Sequence, residues 1–163
     1  MMRKIRLGVL ALTSLALGTA CSDDEGTGPA LKTSFAATLT GAAERPNPVT
    51  TTATGTGTLT LNDAAQTITY SVSVTNLVGI TMAHLHTGAT AEAGPIVINT
   101  LPTPPVASPF TGVLASGTAT VAVLLNGETY TTLAAKIRAG TAYFNVHTVT
   151  NAGGEIRGQL VAQ

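Results

Sequence analysis

The stretch that decides the fold is Thr67-Ile68-Thr69-Tyr70-Ser71-Val72-Ser73-Val74-Thr75, in which apolar residues alternate with hydroxyl-bearing ones. A two-residue period puts successive side chains on opposite faces of an extended chain, so this stretch predicts a β-strand with one buried face. Phe35–Leu39 has the same alternation, and Leu59 and Leu61 end another Thr-rich strand. The short polar segment 62–66 would join that strand to the first one as a hairpin.

Five more strands are predicted farther along the chain, at Met82–His86, Pro95–Asn99, Leu114–Leu125, Ala142–Val149 and Glu155–Ala162. Thr131–Gly140 has apolar residues at helical spacing and predicts one short helix. Residues 101–109 contain four prolines and are expected to form a loop. Aromatic residues make up only 4% of the 163 residues, and Trp is absent. Eight short strands with so few bulky side chains predict one all-β domain, a sandwich or barrel.

Residues 1–20 have the pattern of an export signal. A basic start is followed by the apolar run 7–17, which is too short to cross a bilayer, since a spanning helix needs ~20 residues. The run leads through small residues into Cys21, the single cysteine of the chain, and this junction resembles the lipobox of bacterial lipoproteins. We therefore expect Cys21 to be the lipidated N-terminus of the mature protein. Ordinary cleavage that leaves a free thiol is the alternative.

Residues 21–32 are acidic and rich in small residues, and we expect them to form a flexible tether to the domain at 33–163. Ser22 after the cysteine resembles lipoproteins sent to the outer membrane, where the domain would face the periplasm or the cell surface. Removal of the signal leaves five basic residues against eight acidic ones, a net charge of −3. An acidic domain has no cationic surface for nucleic acid, which excludes DNA and RNA as expected partners.

All three histidines lie on two of the predicted strands, His84 and His86 on one and His147 on the other. Strand parity puts the first two on one face with Met82 and puts His147 on one face with Asn145 and Tyr143. If the strands are neighbours, three imidazoles come within roughly 5 to 7 Å, close enough to ligate one zinc or copper ion. Hydrogen bonding to backbone groups without a metal is the alternative. Calcium and magnesium prefer oxygen ligands and do not suit the cluster.

Other polar residues, together with Asn145, are candidates for ligand contact. Glu155 and Arg157 follow the turn at 151–154 and would share a strand face. There they would form an ion pair, or the guanidinium would face an anion beside the histidines. Glu44 precedes the polar bend at 45–48, which is either a simple turn or a point of ligand contact.

The sequence contains no complete catalytic constellation. A serine-type triad needs an acid to orient its histidine, and Asp63, the single Asp of the predicted domain, lies in a hairpin turn. No glycine-rich phosphate loop opens a helix. These observations favour a protein that is not an enzyme.

Several short motifs, taken in order, resemble the CHRD domain, a family named from chordin and also found in exported bacterial proteins. The resemblance covers about residues 33–163 and is carried by Leu39-Thr40-Gly41-Ala42-Ala43-Glu44, Gly55-Thr56-Gly57, His84-Leu85-His86-Thr87-Gly88, Gly94-Pro95-Ile96-Val97, Tyr143-Phe144-Asn145-Val146-His147-Thr148 and Gly153-Gly154-Glu155-Ile156-Arg157-Gly158-Gln159. The last two segments are the most specific. The chain has Ala152 where the family usually has Pro, Ala91 where Gly is common, and Arg45 where an apolar residue is usual.

The resemblance implies an immunoglobulin-like Greek-key β-sandwich or barrel, distantly similar to copper/zinc superoxide dismutase and without a settled activity. A dismutase with both metals would need more histidines and an Asp, so a single copper or zinc site is the metal hypothesis that remains. We expect a lipid-anchored, non-catalytic envelope module that binds a protein or glycan. The alternative is a mononuclear copper or zinc protein that uses His84, His86 and His147.

Overall fold

The alternating pattern produces nine strands and one α-helix in the computed structural model, which describes residues 30–101, 103–104 and 107–163. The strands are β1 (Ser34–Thr40), β2 (Thr54–Asn62), β3 (Thr67–Leu77), β4 (Ile80–Thr87), β5 (Ile96–Asn99), β6 (Phe110–Ala119), β7 (Ala142–Thr148), β8 (Ile156–Gln159) and β9 (Val161–Ala162). The helix α1 spans Tyr130–Arg138. The predicted signal peptide, the Cys21 lipidation site and the tether up to residue 29 lie outside the described residues.

All nine strands belong to one antiparallel sheet with the order β5-β4-β7-β8-β1-β2-β3-β6, and β9 also pairs with β1. The sheet folds over so that its two halves pack on each other. Phe144 of β7 reaches Gly57 of β2, where an added Cβ would lie 2.5 Å from the phenyl ring. A side chain at Gly57 would therefore push the two halves apart. The predicted all-β sandwich or barrel is confirmed.

The strands position one continuous apolar core. In β2 every second residue is buried, as the sequence alternation requires. Leu85 of β4 and Phe144 and Val146 of β7 are each no more than 1% exposed and face this core. Helix α1 adds Leu133 and Ile137 to the same cluster.

Two of the predicted local features are confirmed. Residues 62–66 join β2 to β3, and the strands pair in register from Asn62↔Thr67 onward. The predicted helix begins after Thr129, whose side chain accepts a hydrogen bond from the Thr132 backbone in a capping box. Such a cap satisfies amide groups that the first helical turn leaves unpaired.

The bounds of two predicted strands were wrong. The strand predicted for Leu114–Leu125 begins at Phe110 and ends at Ala119, where it pairs with Ile68. Because β3 begins at Thr67, residues after Ala119 have no strand beside them and turn into a short 3-10 helix.

The segment predicted as one strand over Glu155–Ala162 forms two. The first part, β8, pairs with β7 and with β1, the second part, β9, pairs with β1, and the segment is interrupted at Leu160. The interruption marks the place where the chain leaves β7 as its partner. Glu155 precedes β8 and is not part of the strand.

Candidate metal centre

The two histidine-bearing strands are neighbours in the sheet. β4 pairs antiparallel with β7, and the pairing sets Met82 opposite His147 and His84 opposite Asn145. The histidine side chains lie on the face away from the core, because the intervening Leu85 belongs to the core cluster. The predicted adjacency and facing of these strands are confirmed.

The three imidazoles form one compact cluster. Nδ1 of His84 lies 3.0 Å from Nε2 of His147. Each of His84, His86 and His147 offers one ring nitrogen, and these nitrogens all lie within 4.8 Å of one another. Zinc binds imidazole nitrogens at ~2.0–2.1 Å, so ligands of one ion must lie within about 4 Å of each other. The upper limit of 4.8 Å for the nitrogen separations exceeds that requirement by less than about 1 Å.

Backbone carbonyls fix the orientation of two of the rings. Nδ1 of His86 lies 2.9 Å from the Gly94 carbonyl, and Nδ1 of His147 lies 3.0 Å from the Ala152 carbonyl. A carbonyl oxygen can only accept, so each Nδ1 carries the proton and each Nε2 keeps its lone pair. This arrangement of a backbone acceptor behind the ring is common in protein metal sites, where it sets the ligand tautomer.

The proton positions in the cluster follow from these contacts. Nε2 of His147 is an acceptor, so the nitrogen that approaches it, Nδ1 of His84, must be the donor. Nε2 of His86 is buried and has no hydrogen-bond partner within the described part of the chain. The Nε2 lone pair of His86 is therefore free for a cation. The Nε2 lone pair of His147 and the Nδ1 lone pair of His84 become free when the His84 proton moves from Nδ1 to Nε2.

The cluster is buried although it lies on the outer face of the sheet. His84 is 4% exposed, His86 8% and His147 7%. Every residue of β7 is buried, including those that the sequence assigned to a polar face. The covering comes from the loop at 88–95 and the turn at 149–154, the two segments that also supply the carbonyl acceptors.

Burial also keeps the three histidines neutral. Removal from water, together with the neighbouring His147 and His86, lowers the pKa of His84 to about 4. Burial likewise lowers the pKa of His86 and of His147, although their bonds to backbone carbonyls partly oppose the effect. The deprotonated form that a metal requires is therefore the resting form at neutral pH.

An aromatic stack supports His86 from the next strand. The Tyr143 ring lies parallel to the His86 ring, with centroids 4.9 Å apart, and the Arg157 guanidinium lies 3.5 Å from the centre of the Tyr143 ring. The Tyr143 hydroxyl accepts a hydrogen bond from the amide of Gly94. Tyr143 thus contacts His86 and also holds the residue whose carbonyl orients it.

The other predicted site residues lie beside the cluster but are already engaged. The Arg157 guanidinium is 2% exposed and donates to the carbonyls of Glu92 and Ala89, which anchors the 88–95 loop. Glu155 accepts hydrogen bonds from Thr51, Thr148 and Asn151. Among the described residues no ion pair joins Glu155 to Arg157.

Glu44 and Asn145 form a buried polar pair next to the histidines. Nδ2 of Asn145 donates to both carboxyl oxygens of Glu44, at 3.2 and 3.0 Å. Burial raises the pKa of Glu44 to about 7, against the opposing effects of Asn145 and Arg157. Gly154 covers the pair so closely that an added Cβ would lie 2.6 Å from Oε2 of Glu44.

Sequence reasoning missed the groups that orient the ligands. Gly94 and Ala152 act through backbone carbonyls, which have no side-chain signature and depend on where a loop returns to the sheet. Tyr143 was placed by parity on the histidine face of its strand, but its stacking on His86 required the β4–β7 register.

The fold and the cluster together define an all-β domain with a buried three-histidine centre on the outside of its sheet. The family model for the CHRD domain matches residues 35–160, so the chain belongs to the CHRD domain family. No curated protein and no solved structure matched the chain. Within the described residues, no helix has both the length and the apolar character needed to cross a membrane.

Proposed function

We propose that this domain binds a single transition-metal ion, zinc or copper, through His84, His86 and His147. The observation that carries the proposal is the buried Nε2 of His86, which lacks a partner in the described part of the chain although its ring is fixed by Gly94. An unsatisfied buried polar atom costs ~1–3 kcal/mol. A cation ligated by this nitrogen would remove that cost.

The donor set supports these metals over others. Three neutral imidazoles suit zinc and copper, whereas calcium and magnesium take oxygen ligands. Three protein ligands would leave a coordination position for water or for another donor. The metal would contribute Lewis acidity or redox capacity, and the chain would orient its ligands through Gly94 and Ala152.

Metal analysis of protein purified without a chelator or an affinity tag tests this proposal. We expect one zinc or copper ion per chain after dialysis against a metal-buffered solution, and less than a tenth of that in His86→Ala. Val113→Ala, at an exposed residue of β6, is the matched control and should bind as the wild type does. A wild-type protein that holds no metal after exposure to both ions would contradict the proposal.

We also propose that the domain works on the bacterial envelope, tethered by a lipid on Cys21. The proposal is supported by the basic and apolar leader and by the small residues before that cysteine. Metabolic labelling with a fatty-acid probe should mark the wild type and leave Cys21→Ala unlabelled. Equal membrane retention of both forms would show that lipidation is the wrong explanation.

A non-catalytic interaction module remains a second candidate, because the domain carries a broad open cleft. The cleft holds about 580 Å³ and runs along β1, β2 and the C-terminal strands. Its lining includes Ala36, Thr38, Thr56, Thr58, Gln159 and Val161. Hydroxyl and small apolar groups suit an extended peptide or a glycan. A pull-down from envelope extract should lose its partner when Thr56→Arg blocks the cleft, and an unchanged partner set would rule out this surface.

A further inference from the structure

Met82 lies at the edge of the histidine cluster and has the chemistry of a ligand. The β4–β7 register sets it directly opposite His147, and Ala83 and Leu85, on the alternate face of β4, belong to the core. Directly opposite residues of an antiparallel pair have Cβ atoms about 4.5–5.5 Å apart. Met82 also follows the strand parity of His84, so it neighbours two of the three imidazoles.

Met82 is far more exposed than the histidines beside it. It is 43% exposed, whereas each of the histidines is less than 10% exposed. An isolated exposed methionine is ordinary. Here, however, it lies beside two buried histidines on the same face of the sheet, and it is the one of these side chains that solvent reaches.

The local charge favours a monovalent ion. Imidazole is a neutral ligand, and the Arg157 guanidinium lies against the Tyr143 ring that stacks on His86. Within the described residues no carboxylate hydrogen-bonds to the three imidazoles, whose partners are one another and the carbonyls of Gly94 and Ala152. Transfer of a charge into a buried site costs more as the charge rises, so this cluster penalises a divalent ion more than a monovalent one.

From this geometry we propose that Met82 is a fourth, soft ligand and that the centre is selective for copper(I). The inference rests on the proposed metal centre and adds its oxidation state and its specificity residue. Thioether sulfur and imidazole nitrogen are ligands that suit copper(I), whereas zinc is bound by thiolate, imidazole and carboxylate groups. An exposed thioether beside buried imidazoles fits a site that receives copper(I) from a soluble donor complex and gives it up again.

The sequence makes this proposal easy to test, because Met82 carries the single sulfur atom of the described residues. The full chain with Cys21→Ser would be loaded anaerobically with copper(I) and examined by X-ray absorption. We expect a copper–sulfur shell in this protein and none after the further change Met82→Leu. The residues Met1 and Met2 are present in both proteins, so the difference reports Met82 alone.

Affinity measurements separate this inference from the metal centre itself. In competition with bicinchoninate, Met82→Leu should bind copper(I) ~10–100-fold more weakly. Removal of a group that only supports the ligands of a metal site typically weakens metal binding by this factor, and removal of a ligand should cost at least as much. Zinc(II) affinity should change less than about threefold, which also shows that the variant is folded. Copper(I) binding that is unchanged in Met82→Leu, without a sulfur shell, would overturn the role of Met82 and leave the histidine centre standing. A wild type that binds neither ion would refute both.

Discussion

Glu44→Gln should remove most of the pH dependence that this carboxyl gives to folding. The side chain is 2% exposed, and burial raises its pKa from 4.5 to about 7. At ~1.36 kcal/mol per pKa unit, complete ionisation costs the folded state up to about 3 kcal/mol. Because the folded pKa is the higher one, the stabilising contribution is full below pH 4.5 and is lost as the pH rises through 7.

Chemical denaturation of the two proteins at pH 5, 6, 7 and 8 measures this effect. Near pH 5 the wild type holds a neutral carboxyl, which Gln mimics, so the free energies of unfolding should be close. By pH 8 the variant should gain up to about 3 kcal/mol relative to the wild type. The lowered pKa values of the histidines act in both proteins and cancel in the difference.

The control variant is Glu92→Gln, which removes one charge at an exposed position and so accounts for the change in net charge. Stability curves for the wild type and Glu44→Gln that stay parallel from pH 5 to pH 8 would refute a neutral Glu44 in the folded protein.

Three further predictions follow from the described contacts. Calorimetric titration with zinc at pH 6.5, in buffers of different ionisation enthalpy, should release fewer protons than the roughly 1.5 that three histidines of ordinary pKa would lose, because burial lowers the pKa of each of these histidines. Release of about 1.5 protons would contradict the assignment. Gly154→Ala should cost ~2 kcal/mol or more of stability, because the backbone φ at this residue is +131° and the new Cβ would collide with Glu44 and Asn145. A loss below about 0.5 kcal/mol in denaturant melts would be inconsistent with that crowding. Phe144→Ala should cost ~3–5 kcal/mol, because the ring is 1% exposed and packs on Gly57; a much smaller loss would mean that the two halves of the sheet are not packed as described.

The sequence was enough to predict the strands and the facing of the histidines. Alternation along Thr67–Thr75 is a local signal, since it depends only on which residues are apolar. The same parity put His84 and His86 on one face, and only the pairing of β4 with β7 remained to be found.

What the sequence could not show was the covering of that face. A polar strand face predicts solvent exposure, yet every residue of β7 is buried because loops return over it. Arg157 illustrates the difficulty, since its partners are the carbonyls of Glu92 and Ala89, 65 and 68 positions away. The bounds of β6 were also missed because they depend on a distant part of the chain, since a strand ends where its paired neighbour ends.

The measurement that tests the three-histidine centre most directly is ¹⁵N NMR of the imidazole nitrogens, with and without one equivalent of zinc. In the metal-free protein we predict that His86 and His147 carry their protons on Nδ1, held by Gly94 and Ala152. On addition of zinc, the Nε2 resonances of both residues should move together at one equivalent, with Nδ1 still protonated, and His84 should shift at the same point of the titration. Histidine spectra that change with neither zinc nor copper(I), or Nε2-protonated rings of His86 and His147 in the metal-free protein, would contradict the assignment of this cluster as a metal centre.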